Sequence, residues 1–194
     1  MVFTSFTYRV VVIWATILTC LVAINSSELS AIQLEKEALL NSTWWSKSSM
    51  TNNASDHCEW DGIFCNSAGS ITEIYLFGHE IRRELGQFNF SCFPNLEYLD
   101  LGSNNLSGRI PSQIGALSKL KTLYLNGNDL TGELGQFNFS CFPNLEYLLL
   151  GGNKLSGRIP SQIGALSKLR VLSLGMNDLT GELMLFVSAC CPFK

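Results

Sequence analysis

The 194-residue chain carries a net charge of −3 and no basic run, which excludes a nucleic-acid-binding surface built on lysine and arginine. Charged residues make up 15% of it, below the usual ~25%, a balance that suits a glycosylated secreted protein. The only two histidines are His57 and His79, and no Ser/His/Asp constellation, Gly-rich phosphate loop or kinase H-R-D or D-F-G string occurs, so catalysis, a metal centre and a cofactor are not expected.

In chain order, an apolar run from Val10 to Ile24 follows Arg9 and precedes small residues around Ala23 to Ser27. It has the length of a signal-peptide core and is short for a membrane span, so residues 1–24 read as a cleaved signal peptide, with an uncleaved anchor as the rival. Residues 25–70 read as a cap. Ser30 and Gln33 fit a helix N-terminus with a capping box, and Ala31, Leu34, Ala38 and Leu39 recur at helical spacing. Cys58-Glu59-Trp60-Asp61-Gly62-Ile63-Phe64-Cys65 follows. In an oxidising compartment Cys58 and Cys65 could bridge, and no second cysteine or histidine pair completes a tetrahedral metal set.

Residues 71–183 are repetitive. The spacing L-x-x-L-x-L-x-x-N-x-L starts at Leu96, Leu120, Leu145 and Leu169, with a degenerate copy at Ile71. Its x-L-x-L-x stretch alternates with period two and predicts a short strand with leucines inward. One such strand cannot bury its face alone; about five stacked in parallel, ~4.8 Å apart, form a continuous core. Asn104, Asn128, Asn153 and Asn177 fall where the chain turns inward, and their amides can satisfy backbone groups of neighbouring coils. His79 stands in that place in the first coil, where a weaker contact is expected. Phenylalanines of the segments from Phe88 and Phe137 are expected in the core.

The strings Leu106-Ser107-Gly108-Arg109-Ile110-Pro111 and Leu155-Ser156-Gly157-Arg158-Ile159-Pro160 resemble the plant-specific class of leucine-rich repeats. Trp44, Trp45 and the C-x-W-x-G-x-x-C segment resemble the N-terminal cap of plant leucine-rich-repeat receptors. From Glu28 to Glu182 the chain looks like the start of the extracellular part of a receptor-like kinase or receptor-like protein. The resemblance implies an α/β solenoid, a right-handed superhelix with parallel strands on its concave face and a helical N-terminal cap. It implies recognition of a peptide or protein ligand outside the cell, in development or defence, with a leucine-rich-repeat co-receptor among the candidate partners. An expected location is the cell wall space, or the plasma membrane through a full-length receptor or an uncleaved anchor. The alternative is a small secreted protein, an inhibitor of a microbial polysaccharide-degrading enzyme or a receptor partner.

Residues 85–133 recur almost letter for letter at 134–182, each copy being two shorter repeats. Eight positions differ: Asp100/Leu149, Ser103/Gly152, Asn105/Lys154, Lys121/Arg170, Thr122/Val171, Tyr124/Ser173, Asn126/Gly175 and Gly127/Met176. All but Asn105/Lys154 are expected on the strand surface, while convex positions such as Lys119 and Lys168 are unchanged. A ligand is therefore expected on that surface, at Tyr75, Phe77, Tyr98, Asp100, Ser103, Lys121, Tyr124, Asn126, Tyr147, Arg170 and Ser173, with the tyrosines as rigid amphipathic contacts.

Glycosylation sequons stand at Asn25, Asn41, Asn53, Asn89, Asn105 and Asn138, of which Asn25 lies too near the expected cleavage site. Cys92 and Cys141 occupy equivalent places two coils apart, at least ~9.6 Å, beyond the ~7 Å reach of a disulfide. The apolar tail 184–194, with Cys190 and Cys191 adjacent, matches no cysteine-bearing terminal cap. It predicts a truncated receptor that self-associates through its last coil.

Overall fold

The computed structural model describes residues 31–45 and 56–181. The expected signal peptide, the capping serine Ser30, the sequons at Asn25 and Asn53, and the tail with Cys190 and Cys191 lie outside the described residues.

The repeated strands pair as the alternation requires. The main sheet runs β1 (Ile63–Cys65), β2 (Ile71–Tyr75), β3 (Tyr98–Asp100), β5 (Thr122–Tyr124), β7 (Tyr147–Leu149) and β9 (Val171–Ser173). β1 pairs antiparallel with β2; every later pair is parallel and in register, with Ile74, Leu99, Leu123, Leu148 and Leu172 side by side. That row faces inward, and its first four members are fully buried. Residues 31–42 are helical.

A second sheet was not expected from the sequence. Its four parallel strands, β4 (Ser107–Arg109), β6 (Asp129–Glu133), β8 (Lys154–Arg158) and β10 (Asp178–Thr180), carry the L-S-G and L-T-G strings. Glycines lie inside these strands, with φ of +81° at Gly108 and +101° at Gly132. A Cβ on Gly108 would come within 2.6 Å of the Glu84 side chain, so the close approach of successive coils here requires glycine. Short 3-10 turns then carry the chain along the outer side, and Phe88, Phe90, Phe93, Phe139 and Phe142 point inward beneath them. Phe88 stacks on Phe93 at 5.1 Å, and Phe137 on Phe142 at 5.2 Å.

The cap closes the first coil with aromatic surface. Trp44 stacks on Phe88 at 4.2 Å, and the Trp45 indole N–H donates to the Asp61 carbonyl at 2.9 Å. The helix face departs from the expected stripe. Ala38 and Leu39 are buried, but Leu34 is 52% exposed, and the inward place beside them goes to Glu35. Its carboxylate is fully buried and accepts from the Ser70 hydroxyl at 2.6 Å and the Ile71 N–H at 2.9 Å. This one carboxylate satisfies the first backbone donor of β2, whose N–H has no preceding coil to bond to.

Burial pushes the Glu35 carboxyl above the usual glutamate range, outweighing the bonds from Ser70 and Ile71. An acid whose pKa is higher folded than unfolded binds its proton more tightly when folded. Stability from this group is therefore complete below the unfolded value, about 4.3, and is lost as pH rises through the folded value. Glu35→Gln keeps both contacts, with the amide donating to Ser70 and accepting from Ile71. The variant is expected to be more stable than wild type at pH 7, with an advantage that shrinks as pH falls toward about 4.5, measured by urea unfolding. A constant difference across that range would refute this account of Glu35.

Candidate functional site

The outward face of the main sheet is built in rows fixed by its register. One row runs Glu73, Tyr98, Thr122, Tyr147, Val171, and the next Tyr75, Asp100, Tyr124, Leu149, Ser173. Tyrosine thus alternates between the rows from coil to coil and forms a zigzag. The ring centroids of Tyr75 and Tyr98 are 6.5 Å apart, and those of Tyr98 and Tyr124 are 5.9 Å apart at 69°. Such offset and edge contacts hold the rings rigid at little entropic cost. Beyond the strands, backbone bonds continue through the following turn, from Gly78 N–H to Gly102 O and from Ser103 N–H to Asn126 O, each 2.9 Å.

The structure brings the expected contact residues onto one continuous surface but not at one depth. Tyr75 and Phe77 are exposed, as are Ser103, Lys121 and Arg170; Tyr98, Tyr124, Asn126, Tyr147 and Ser173 are half-buried. Asp100 and Thr122, expected as open positions, are buried. Ser103, Asn126 and Gly127 lie past the ends of β3 and β5, on the turn at the rim rather than on the strands. Ser103 and Met176 adopt positive φ there, where Gly127 and Gly152 also occur.

Charges on this face are paired unevenly. The Lys121 ammonium contacts Glu97 at 2.5 Å, and the Arg170 guanidinium contacts Glu146 at 3.0 Å. The Lys/Arg change between copies therefore keeps an equivalent ion pair. Among the described residues no cation pairs with Glu73 or Asp100. One Asp100 oxygen accepts the Gly102 N–H at 2.9 Å. Burial raises the Asp100 carboxyl above the usual aspartate range, outweighing the Gly102 N–H and the nearby Tyr98 hydroxyl, which favour the charged form. Burial first, then the Asp100 charge, pushes the Tyr98 phenol up to about 12, so it stays a neutral donor.

The asparagine ladder sits under the turn that shapes the rim. Asn128 donates to the carbonyls of Leu101 and Leu125 at 2.9 and 3.0 Å and accepts from the N–H groups of Asn104 and Leu106. Asn153 donates to Leu125 and Leu150 and accepts from Leu130; Asn177 donates to Leu150 and Leu174 and accepts from Leu155. His79 does not substitute for this contact. Its ring turns outward, with Nδ1 at 3.1 Å from the Phe77 carbonyl and Nε2 at 3.2 Å from Asp61. Glu80 and Arg82 take positive φ, and the buried Asn104 Oδ1 is left without a partner.

In the cap, Cys58 and Cys65 are joined, with Cα atoms 5.7 Å apart. His57 lies beside them, the one such His/Cys/Asp/Glu group among the described residues. Disulfide sulfurs are not thiolate ligands, so this group offers a metal only the buried His57 imidazole.

These features coincide with known proteins. Residues 70–136 match the family described as Leucine Rich repeats (2 copies), and residues 144–166 the family described as Leucine Rich Repeat. A chain in the crystal structure of the BIR3–SERK2 complex from Arabidopsis thaliana is 37% identical, over 71% of this chain and 72% of that one, with a TM-score of 0.60. The chain belongs to the leucine-rich-repeat family, in the form found in plant receptor ectodomains. The BIR2 ectodomain from Arabidopsis thaliana shares 26% identity over 82% of this chain and 86% of that one, with a TM-score of 0.71. The MDIS1-interacting receptor like kinase 2 of the same plant is 37% identical over 118 residues, 58% of this chain and 11% of that protein. The chain spans about a tenth of the length of the curated relatives it matches.

In this leucine-rich-repeat chain the sequon asparagines Asn41, Asn89, Asn105 and Asn138 are all exposed. Asn138 is turned onto the Ser140 N–H at 3.2 Å. Cys92 and Cys141 are free and half-buried. Two concavities lie away from the tyrosine face: one lined by Arg109, Thr131, Glu133 and Phe137, the other under the cap helix by Leu34, Asn41, Asn89 and Cys92. The tyrosine face is an open, rigid surface, a geometry suited to docking a partner chain rather than enclosing a small substrate.

Proposed function

We propose that this chain is an extracellular recognition module of a plant leucine-rich-repeat receptor-like kinase or receptor-like protein, acting in development or defence signalling. It docks a peptide or protein partner on the outer face of the main sheet, centred on Tyr75, Tyr98, Tyr124 and Tyr147. The observation that carries this reading is the uneven divergence of the duplication. Leucine core, asparagine ladder and 3-10 side were copied unchanged, while seven of eight differences fall on the strand face, its flank and its rim. Likeness to a chain of the BIR3–SERK2 complex supports a protein partner, a leucine-rich-repeat co-receptor included. We place the protein in the cell wall space, or at the plasma membrane within a longer receptor, with glycans on Asn41, Asn89, Asn105 and Asn138.

The reading is tested with binders selected from a displayed random-peptide library on the secreted chain. Tyr98→Ala and Tyr124→Ala are each expected to lower affinity about 30-fold, as loss of a central aromatic contact does. Lys119→Ala, on the opposite side, serves as the control.

A further inference from the structure

The first copy of the duplication, together with Tyr75 of the coil before it, holds a side-chain group that the second copy does not reproduce. Asp100 is flanked in its own row by Tyr75 on one side and Tyr124 on the other, one strand spacing away each, and on its own strand by Tyr98. In the second copy the matching places hold Tyr124, Tyr147, Leu149 and Ser173: the carboxylate has become leucine and the far ring serine. Asp100 is 5% exposed, yet no cation among the described residues pairs with it, nor with Glu73 in the adjoining row. The neighbouring carboxylates Glu97 and Glu146 are both neutralised. A buried carboxylate flanked by three tyrosines, with the local negative charge unbalanced, is complementary to a cation that brings its own apolar plane.

We propose that Asp100, Tyr75, Tyr98 and Tyr124 form a subsite for the guanidinium group of an arginine side chain on the peptide or protein partner. The guanidinium lies on the exposed faces of Tyr75 and Tyr124, where ring quadrupoles attract it, and directs its charge at the Asp100 carboxylate below. Arginine suits this arrangement better than lysine, because its planar, weakly hydrated cation stacks on rings and loses less on leaving water. Gly102 keeps its N–H on one carboxylate oxygen, and a Cβ there would meet Phe77 at 3.0 Å and Asp100 at 3.2 Å, so glycine keeps the rim open beside the acid. The site is confined to the first three coils; around Leu149 an apolar side chain is preferred instead.

This inference rests on the proposed docking face, and its test separates the two. The random-peptide library is selected on the full secreted chain, and the binders are re-measured on Asp100→Leu, Asp100→Asn and Tyr124→Ser. Leu149 and Ser173 show that the fold accepts leucine and serine at these places. Expected are peptides enriched in arginine at one position, with affinity falling about tenfold or more on each Asp100 variant and on arginine→citrulline exchange in the peptide. Peptides that need Tyr98 but carry no cation, or arginine peptides that bind Asp100→Asn as well as wild type, overturn the inference and leave the docking face standing. Binders insensitive to every change on the tyrosine face overturn both.

Discussion

Asn128→Leu is expected to destabilise the chain by about 3 kcal/mol or more, read from the urea-unfolding midpoint at unchanged slope. Leucine keeps the branching at Cγ but replaces the polar atoms with bulkier methyls, so the same change at Asn104 is needed to separate polar satisfaction from packing. The Asn128 amide serves two buried N–H donors, Asn104 and Leu106, and two carbonyls, Leu101 and Leu125. Stranding several such groups costs roughly 1–3 kcal/mol each before relaxation. Asn104 provides the internal comparison. Its Nδ2 donates to Leu76 and Gly102 carbonyls, but its Oδ1 has no partner, because the backbone N–H groups of the preceding coil, where Glu80 and Arg82 take positive φ, do not reach it. Asn104→Leu is therefore expected to cost less than Asn128→Leu. Equal losses would mean that the ladder acts through side-chain volume rather than hydrogen bonding.

Gly62→Ala is expected to cost about 3 kcal/mol or more, concentrated in the cap. Gly62 sits at φ +76°, and a Cβ there would lie 2.1 Å from the Tyr75 carbonyl oxygen, a backbone atom that cannot swing aside. The same glycine accepts the Tyr75 N–H at 2.7 Å, so moving it breaks the join between β1 and β2. Trp44, Trp45 and Trp60, three of the four tryptophans, are buried in this cap. The substitution should therefore shift tryptophan emission to the red and lower the midpoint of that signal before the strand signal changes. An unaltered spectrum and midpoint would show that the cap does not depend on this close approach.

Much of this was legible in the residues because the repeat states each constraint several times over. Period-two leucines and the ladder asparagines follow from local rules that successive coils repeat, and the cap cysteines from their close spacing in the chain. The second sheet was not legible. Its strands are three to five residues long, and three of the four contain a glycine with positive φ, a residue that from sequence reads as a turn. Nor did the helical pattern reveal Glu35, because its partners, Ser70 and Ile71, are 35 and 36 residues away. The His79 side chain makes no ladder contact, and the unpartnered Asn104 Oδ1 one coil on reflects the backbone around Glu80 and Arg82, both at positive φ, which no residue type there announces. Alternation places Asp100 in the open, and its burial, with one oxygen on the Gly102 N–H and tyrosines beside it on both neighbouring strands, emerges only from the assembled register.

The duplication binds these observations together. What both copies share builds the solenoid, and what separates them alters a surface of tyrosines, one buried acid and two compensated ion pairs. The most direct measurement is the affinity of library-selected binders for wild type, Tyr98→Ala, Tyr124→Ala and Lys119→Ala, side by side. Docking on the outer sheet face predicts about 30-fold losses for the two tyrosine variants and none for Lys119→Ala. Unchanged affinity at both tyrosines, or a loss confined to Lys119→Ala, would contradict it.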